Sequence, residues 1–382
     1  MINSRFKQGV QWSLGVITAT ALLACTGSET PGNDGTPILL DAPSTPAVTG
    51  AKVEFPQEIP LETDQETLDA ALHCSDFEHP DKPAVLLVHG TFTRGQEQYE
   101  WNYIPQLAER GHDVCVITYP DRGLGDQQIS AEYVVNALRR MHARTGQKVA
   151  MIGHSQGASM PRWALRFWPS ARAAVDDFVL HAGPNHGVLL GNVTQWTQVL
   201  GGLRLLPEGV YQFGIDANFT RAVNTVDETP GAVDYTAIYT QFDELVQPTN
   251  PIPTAALDWG IENPKVTNIK LQDICPGYIA DHVTIGLTDR LTFTLTMDAI
   301  DHPGPANVER AGGADLCSAV APLPNVILGP QSVAGLLRTL ASEGVDSIPR
   351  LHLATQEPPL KPYAQAALDE AESNAPAAPD TP

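Results

Sequence analysis

Ser155 is the side chain in this sequence best placed to attack a carbonyl. It stands in Gly153-His154-Ser155-Gln156-Gly157, between an apolar run, Val149-Ala150-Met151-Ile152, and a helix-like stretch. In that strand–turn–helix setting a G-x-S-x-G pattern puts the serine on a sharp, strained turn, with glycines where a side chain would strike backbone. The following helix aims its first N–H groups toward the same spot. A nucleophilic hydroxyl needs a base, and the base needs a carboxylate to orient it. Downstream, His181, His186, His282 and His302 are candidate bases, and Asp243, Glu244 and Asp281 are candidate acids. Asp243 leads the acids. It follows an apolar alternating run, residues 237–242, and its short side chain suits a loop beside a strand end, where open α/β sheets gather their sites. His282 leads the bases. It follows a strand-like segment, residues 266–274, so the pair falls on successive loops at one sheet edge. His186 is a rival at the end of another apolar run, His302 reads as a surface-turn residue, and Asp281 as a solvated neighbour or a loop hydrogen-bonder.

Acyl transfer also needs donors aimed at the oxygen that becomes negative. Gln156 offers the backbone N–H just after the serine. Thr91 offers a backbone N–H and a hydroxyl in His89-Gly90-Thr91, which closes the apolar run Ala84-Val85-Leu86-Leu87-Val88. The elements that must position these groups alternate in type. Residues 84–88, 114–118 and 149–152 read as strands. Residues 101–110 and 129–145 read as helices, the second with Val134, Val135, Leu138 and Met141 on one face. Strand and helix in alternation imply a parallel sheet wrapped by helices, and continuous apolar strands imply cover on both faces.

The chain has 382 residues, 42% of them hydrophobic, enough for a substantial core. Its 23 Lys+Arg against 44 Asp+Glu give a net charge of −21, which opposes binding to nucleic acid or to anionic membrane surfaces. The N-terminus reads as a targeting segment. Arg5 and Lys7 precede a mostly apolar run too short and interrupted for a comfortable membrane span. Leu22-Leu23-Ala24-Cys25 resembles a bacterial lipobox, so residues 1–24 read as a signal peptide and Cys25 as a lipidated first residue. Residues 25–63, rich in Thr, Pro and Gly, read as a tether, residues 64–368 as one domain, and residues 369–382 as a disordered acidic tail. Of five cysteines, setting Cys25 aside leaves Cys74, Cys115, Cys275 and Cys317. An even remainder in an exported chain suggests two disulfides, with three pairings open. No C-x-x-C motif is present, and no metal site or cofactor is expected.

At this point the residues resemble a known family. Val88-His89-Gly90-Thr91, Asn102-Tyr103-Ile104-Pro105, Glu132-Tyr133-Val134-Val135-Asn136-Ala137, Phe242-Asp243-Glu244-Leu245-Val246-Gln247-Pro248, Ile279-Ala280-Asp281-His282 and Pro362-Tyr363-Ala364 occur in order. They are similar to the Candida antarctica lipase B-like family of α/β-hydrolase lipases and its exported bacterial relatives, over about residues 68–364. The resemblance implies the α/β-hydrolase fold, a mostly parallel central sheet flanked by helices. It implies Ser155, Asp243 and His282 as catalytic triad, Thr91 and Gln156 as oxyanion hole, and bridges Cys74–Cys115 and Cys275–Cys317. The chain departs from the family's yeast member in its complete elbow pentapeptide and in having no cysteines for a third bridge. The expected activity is a serine carboxyl-ester hydrolase, a lipase or esterase acting on apolar esters through an acyl-enzyme. A polyester hydrolase or an acyltransferase on the same scaffold is the alternative, and a surface-binding lipoprotein with a hydrolase-like fold is the non-enzymatic one. The apolar stretches 188–190, 199–200, 203–206 and 333–340 are candidate linings of an acyl pocket. The expected setting is a monomer in the bacterial cell envelope, held to the membrane by its N-terminal lipid alone, or released to the medium.

Overall fold

A computed structural model describes residues 57–189, 206–318, 323 and 352–374. The signal segment, Cys25, residues 375–382 and most of the candidate pocket stretches, including 199–200 and 333–340, lie outside the described residues.

Among the described residues, seven strands make the central sheet: β1 (Leu72–Cys74), β2 (Val85–Val88), β3 (Val114–Ile117), β4 (Val149–His154), β5 (Val175–His181), β7 (Asp234–Tyr239) and β8 (Val266–Lys270). A separate antiparallel pair joins β6 (Leu206–Pro207) to β9 (Leu353–Ala354). The order across the main sheet is β1-β3-β2-β4-β5-β7-β8, parallel throughout except for β1 against β3. This is the expected fold.

Every residue of β2, β3 and β4 is buried. Because side chains alternate across a strand, the two faces feed two separate cores. Leu86, Val88 and Met151 pack with Val134, Leu138 and Trp163 on one side. Val85, Leu87, Ala150 and Ile152 pack with Ile104 and Leu295 on the other. Each fully buried Leu or Ile contributes roughly 1.5–3 kcal/mol in these layers. The long helix under the first face runs Gln127–Thr145, two residues earlier than its apolar periodicity implies. Asp126 caps it, accepting from Gln128 N at 2.9 Å, and Gly146 ends it in the left-handed conformation at φ 70°.

Three boundaries differ from the sequence expectation. The segment expected to be strand over 266–274 stops at Lys270 and becomes a short helix, Leu271–Ile274, in which Leu271 and Gln272 turn inward. The packed body begins before residue 64. Ile59 and Leu61 pack on the first core, and Trp168 Nε1 donates to Ile59 O at 2.8 Å. At the far end the helix Pro362–Asn374 runs past residue 368, since its Ala- and Glu-rich continuation favours helix and Leu368 is buried.

Candidate active site

β4 delivers His154 and then Ser155 at the carboxyl end of the sheet. Ser155 takes φ 57°, ψ −124°, a conformation L residues rarely adopt, and the helix Gln156–Ser159 starts at once. Two contacts require the elbow glycines. A Cβ on Gly153 would lie 1.8 Å from Gly157 O, and one on Gly157 would lie 2.2 Å from Val88 O. The turn is therefore wedged against itself and against β2. Ser155 N donates to His181 O at 2.9 Å, tying the elbow to β5.

His282 Nε2 lies 3.0 Å from Ser155 Oγ, and His282 Nδ1 lies 2.9 Å from Asp243 Oδ2. A carboxylate accepts, so Nδ1 carries the proton and Nε2 presents its lone pair to the serine hydroxyl. Asp243 is buried, and its Oδ1 accepts from Leu245 N at 2.9 Å and Val246 N at 2.6 Å. These bonds fix the carboxylate in place. Glu244, the rival acid, points elsewhere: its carboxylate accepts from the His282 backbone N–H at 3.0 Å.

His282 opens a short helix, His282–Leu287, rather than sitting in a plain loop. Asp281 caps that helix, accepting from Thr284 N at 2.7 Å, while Thr284 Oγ1 accepts from Asp281 N at 2.9 Å.

Gln156 N–H is the first of its helix and has no intrahelical acceptor. The Gln156 side chain is held by Gly123 O, at 2.8 Å from Nε2, and accepts from Thr91 Oγ1 at 3.2 Å. Thr91 follows Gly90, where a Cβ would lie 3.2 Å from Ser155 Cβ, so the loop runs directly over the serine. Phe92 N donates to Arg122 O at 2.7 Å, and Arg122 pairs with both oxygens of Glu97, at 2.6 and 3.0 Å. The loop is thus braced on both sides.

A serine, an oriented imidazole, a buried carboxylate and a helix N–H without an intrahelical acceptor are parts of an acyl-transfer site. The class 2 lipase family matches residues 81–276. Lipase B of Pseudozyma antarctica is 30% identical over 308 residues, covering 78% of this chain and 84% of that protein. The chain belongs to the class 2 lipase family. Its fold agrees: the crystal structure of Aspergillus fumigatus lipase B superposes with a TM-score of 0.69 at 27% identity, covering 84% of this chain and 77% of that one. This class 2 lipase is a carboxylic-ester hydrolase of the lipase and esterase type.

The lipase's other candidate histidines are occupied elsewhere. His181 is buried in β5 with Nε2 on Thr296 Oγ1 at 2.8 Å, and burial pulls it down to about 3. His186 faces Glu228 Oε1 at 2.8 Å and Thr254 O at 3.2 Å. His302 follows the helix Arg290–Asp301 with Nδ1 3.0 Å from Asp298 O. His89 stacks on Tyr119 at 3.8 Å, and its Nδ1 lies 2.7 Å from Gly90 O. Both expected disulfides are present, Cys74–Cys115 and Cys275–Cys317. Among the described residues no group of three His, Cys, Asp or Glu could hold a metal ion, and no helix is long and apolar enough to cross a membrane. Sequence reasoning missed Gln98 and the side chain of His154, which join the site from behind. His154 was visible inside the elbow, whereas nothing local marks Gln98.

Proposed function

We propose that this lipase cleaves apolar carboxylic esters through an acyl-enzyme on Ser155. His282 Nε2 takes the hydroxyl proton as Oγ attacks the ester carbonyl. Asp243 holds the imidazole in the required tautomer and stabilises its cationic form. The Gln156 N–H and the Thr91 N–H receive the oxygen that becomes negative, and the Thr91 hydroxyl, which donates to Gln156 Oε1 in the resting site, turns to join them. The leaving alcohol departs with the proton from His282. Water activated by the same nitrogen then attacks the acyl carbon, releasing the acid and restoring Ser155. The unbroken line from Asp243 Oδ2 to His282 Nδ1 at 2.9 Å, and from His282 Nε2 to Ser155 Oγ at 3.0 Å, carries this reading. All these residues come from one chain, which supports a monomeric catalyst.

Exposed apolar side chains border the same residues and support an apolar substrate. Phe92 follows Thr91, Leu245 stands two residues past Asp243, and Val283 follows His282. The names of the two relatives, both lipases, point the same way. Two disulfides suit an oxidising compartment. That supports export by the N-terminal segment, with the domain held in the cell envelope through lipid on Cys25.

Purified chain should hydrolyse p-nitrophenyl esters of short and long acyl chains, and Ser155→Ala should lose roughly 1,000-fold or more in kcat. A Ser155→Ala variant as active as the parent would defeat the assignment.

A further inference from the structure

Behind the triad lies a chain of buried hydrogen bonds that the ester-cleaving steps do not use. It begins at the oxyanion loop. Gly90 N donates to Gln98 Oε1 at 2.8 Å, and Thr93 Oγ1 donates to the same oxygen at 2.7 Å. A backbone N–H can only donate, so the amide of Gln98 has one possible orientation, with its oxygen on Gly90. Its Nε2 therefore faces the other way, 3.4 Å from His154 Nδ1. An amide nitrogen also only donates, so Nδ1 of His154 must hold the lone pair and Nε2 the proton. That proton is where it is needed, since His154 Nε2 lies 2.7 Å from the backbone carbonyl oxygen of His282. Each link dictates the orientation of the next, and the chain closes without a conflict.

The two side chains are almost wholly buried, His154 at 6% and Gln98 at 1% exposure. Burial and the neighbouring His282 pull His154 down to about 3, so the ring is neutral and keeps its tautomer. The His154 and His282 rings lie 5.0 Å apart. The helix that His282 opens is seated on the same ring: a Cβ on Gly286 would lie 2.1 Å from His154 Cδ2. The His282 backbone is thus held at two points, its N–H by Glu244 Oε2 at 3.0 Å and its carbonyl by His154.

We infer that His154 and Gln98 form a positioning pair that locks the backbone of His282 to the Gly90–Thr91 loop, so that base and oxyanion donors keep one register around Ser155. The inference rests on the triad reading given above. Neither side chain touches substrate in this role. Both act by holding the groups that do, and near-attack geometry is sensitive to displacements of an ångström. The longest link, 3.4 Å between Gln98 and His154, is the joint where loop and base can drift apart.

The test compares full-length Ser155→Ala, His154→Phe, His154→Gln and Gln98→Leu on p-nitrophenyl butyrate, with kcat and KM measured separately and folding followed by thermal melting. His154→Phe keeps the ring shape without the donor and should lose roughly 10- to 100-fold in kcat, with KM within about twofold. Gln98→Leu should show the same pattern. Their combination should cost little more than the worse single change, because both break one chain. His154→Gln returns an N–H donor toward the His282 carbonyl and should recover most of the loss. A folded His154→Phe with parental kcat, a loss confined to KM, or a His154→Gln as damaged as His154→Phe would each overturn the pair. If His154→Phe does not fold, His154→Asn, whose shorter amide falls short of the His282 carbonyl, replaces it, and equal kcat for Asn and Gln overturns the inference. Ser155→Ala separates the two readings. Full activity there refutes the triad, whereas its loss beside an unaffected His154→Phe refutes the positioning pair alone.

Discussion

Strain at Ser155 is held by neighbours that have no side chain to yield. Its φ of 57° with ψ of −124° costs on the order of 1–3 kcal/mol for an L residue and persists only where the surroundings over-determine it. Gly153 and Gly157 supply that constraint by direct backbone contact. A different residue bears a cost with no evident catalytic return. Asp177 lies in β5, buried, with Oδ1 lacking a partner among the described residues. Burial first, then the charges of Asp176 and Asp234, raise its carboxyl to about 8. The nearby lysines are drawn to the other two aspartates, Lys148 to Asp176 at 3.0 Å and Lys265 to Asp234 at 3.2 Å. Below about pH 4 the carboxyl is protonated in the folded and unfolded chains alike and carries no penalty. Between about 4 and 8 the folded chain keeps a proton that the unfolded chain has released, so this group's effect on stability worsens as pH rises. Asp177→Asn should therefore melt higher than the parent at pH 8, with the gain shrinking toward nothing at pH 4. A melting difference independent of pH, or one that grows on acidification, would refute this account.

At the scale of elements, the site depends on short pieces held from outside. The helix His282–Leu287 is only 6 residues long, too short to be stable alone. It relies on the Asp281 cap, the His154 ring and the turn before it, and that turn is braced by Cys275–Cys317. The bridge joins positions 42 residues apart, and its removal costs roughly 3–4 kcal/mol in the chain-entropy model. Cys74–Cys115, separated by 41 residues, locks the edge strand β1 to β3 instead, away from the base. Both double Ser variants should melt lower. Cys275→Ser/Cys317→Ser should also lose kcat at temperatures where it remains folded, while Cys74→Ser/Cys115→Ser should keep parental kcat there. Equal kcat for the two folded variants would remove the bracing role. The elements themselves were legible where periodicity was long, as in the helix Gln127–Thr145. The helix at Leu271 was not, because Lys270 and the residues after it continue a pattern that suits either state until Gln272 finds its partners, the buried Thr240 hydroxyl and the Gln241 backbone N–H.

Across the whole molecule, a net charge of −21 opposes binding to anionic surfaces, so the proposed retention at a membrane rests on the lipid proposed for Cys25. Full-length chain expressed in a bacterial host should fractionate with membranes, and Cys25→Ser should move to the soluble fraction; a variant that stays with the membranes would count against lipidation. Much of the site can be read along the chain because its grammar is local. Glycine sterics mark the elbow, apolar runs mark the strands that lead into the loops carrying Thr91 and Asp243, and the order of serine, acid and histidine follows from how a parallel sheet brings strand ends to one edge. Partner choice cannot be read that way. Asp243 and Glu244 are adjacent, and both end in a carboxyl group. Only the folded loop puts one on the imidazole and the other on the His282 backbone N–H. Likewise His154 meets a carbonyl 128 residues away and Gln98 an imidazole 56 residues away. Such contacts follow from how helices and loops pack around the sheet, and short-range pattern carries no information about them.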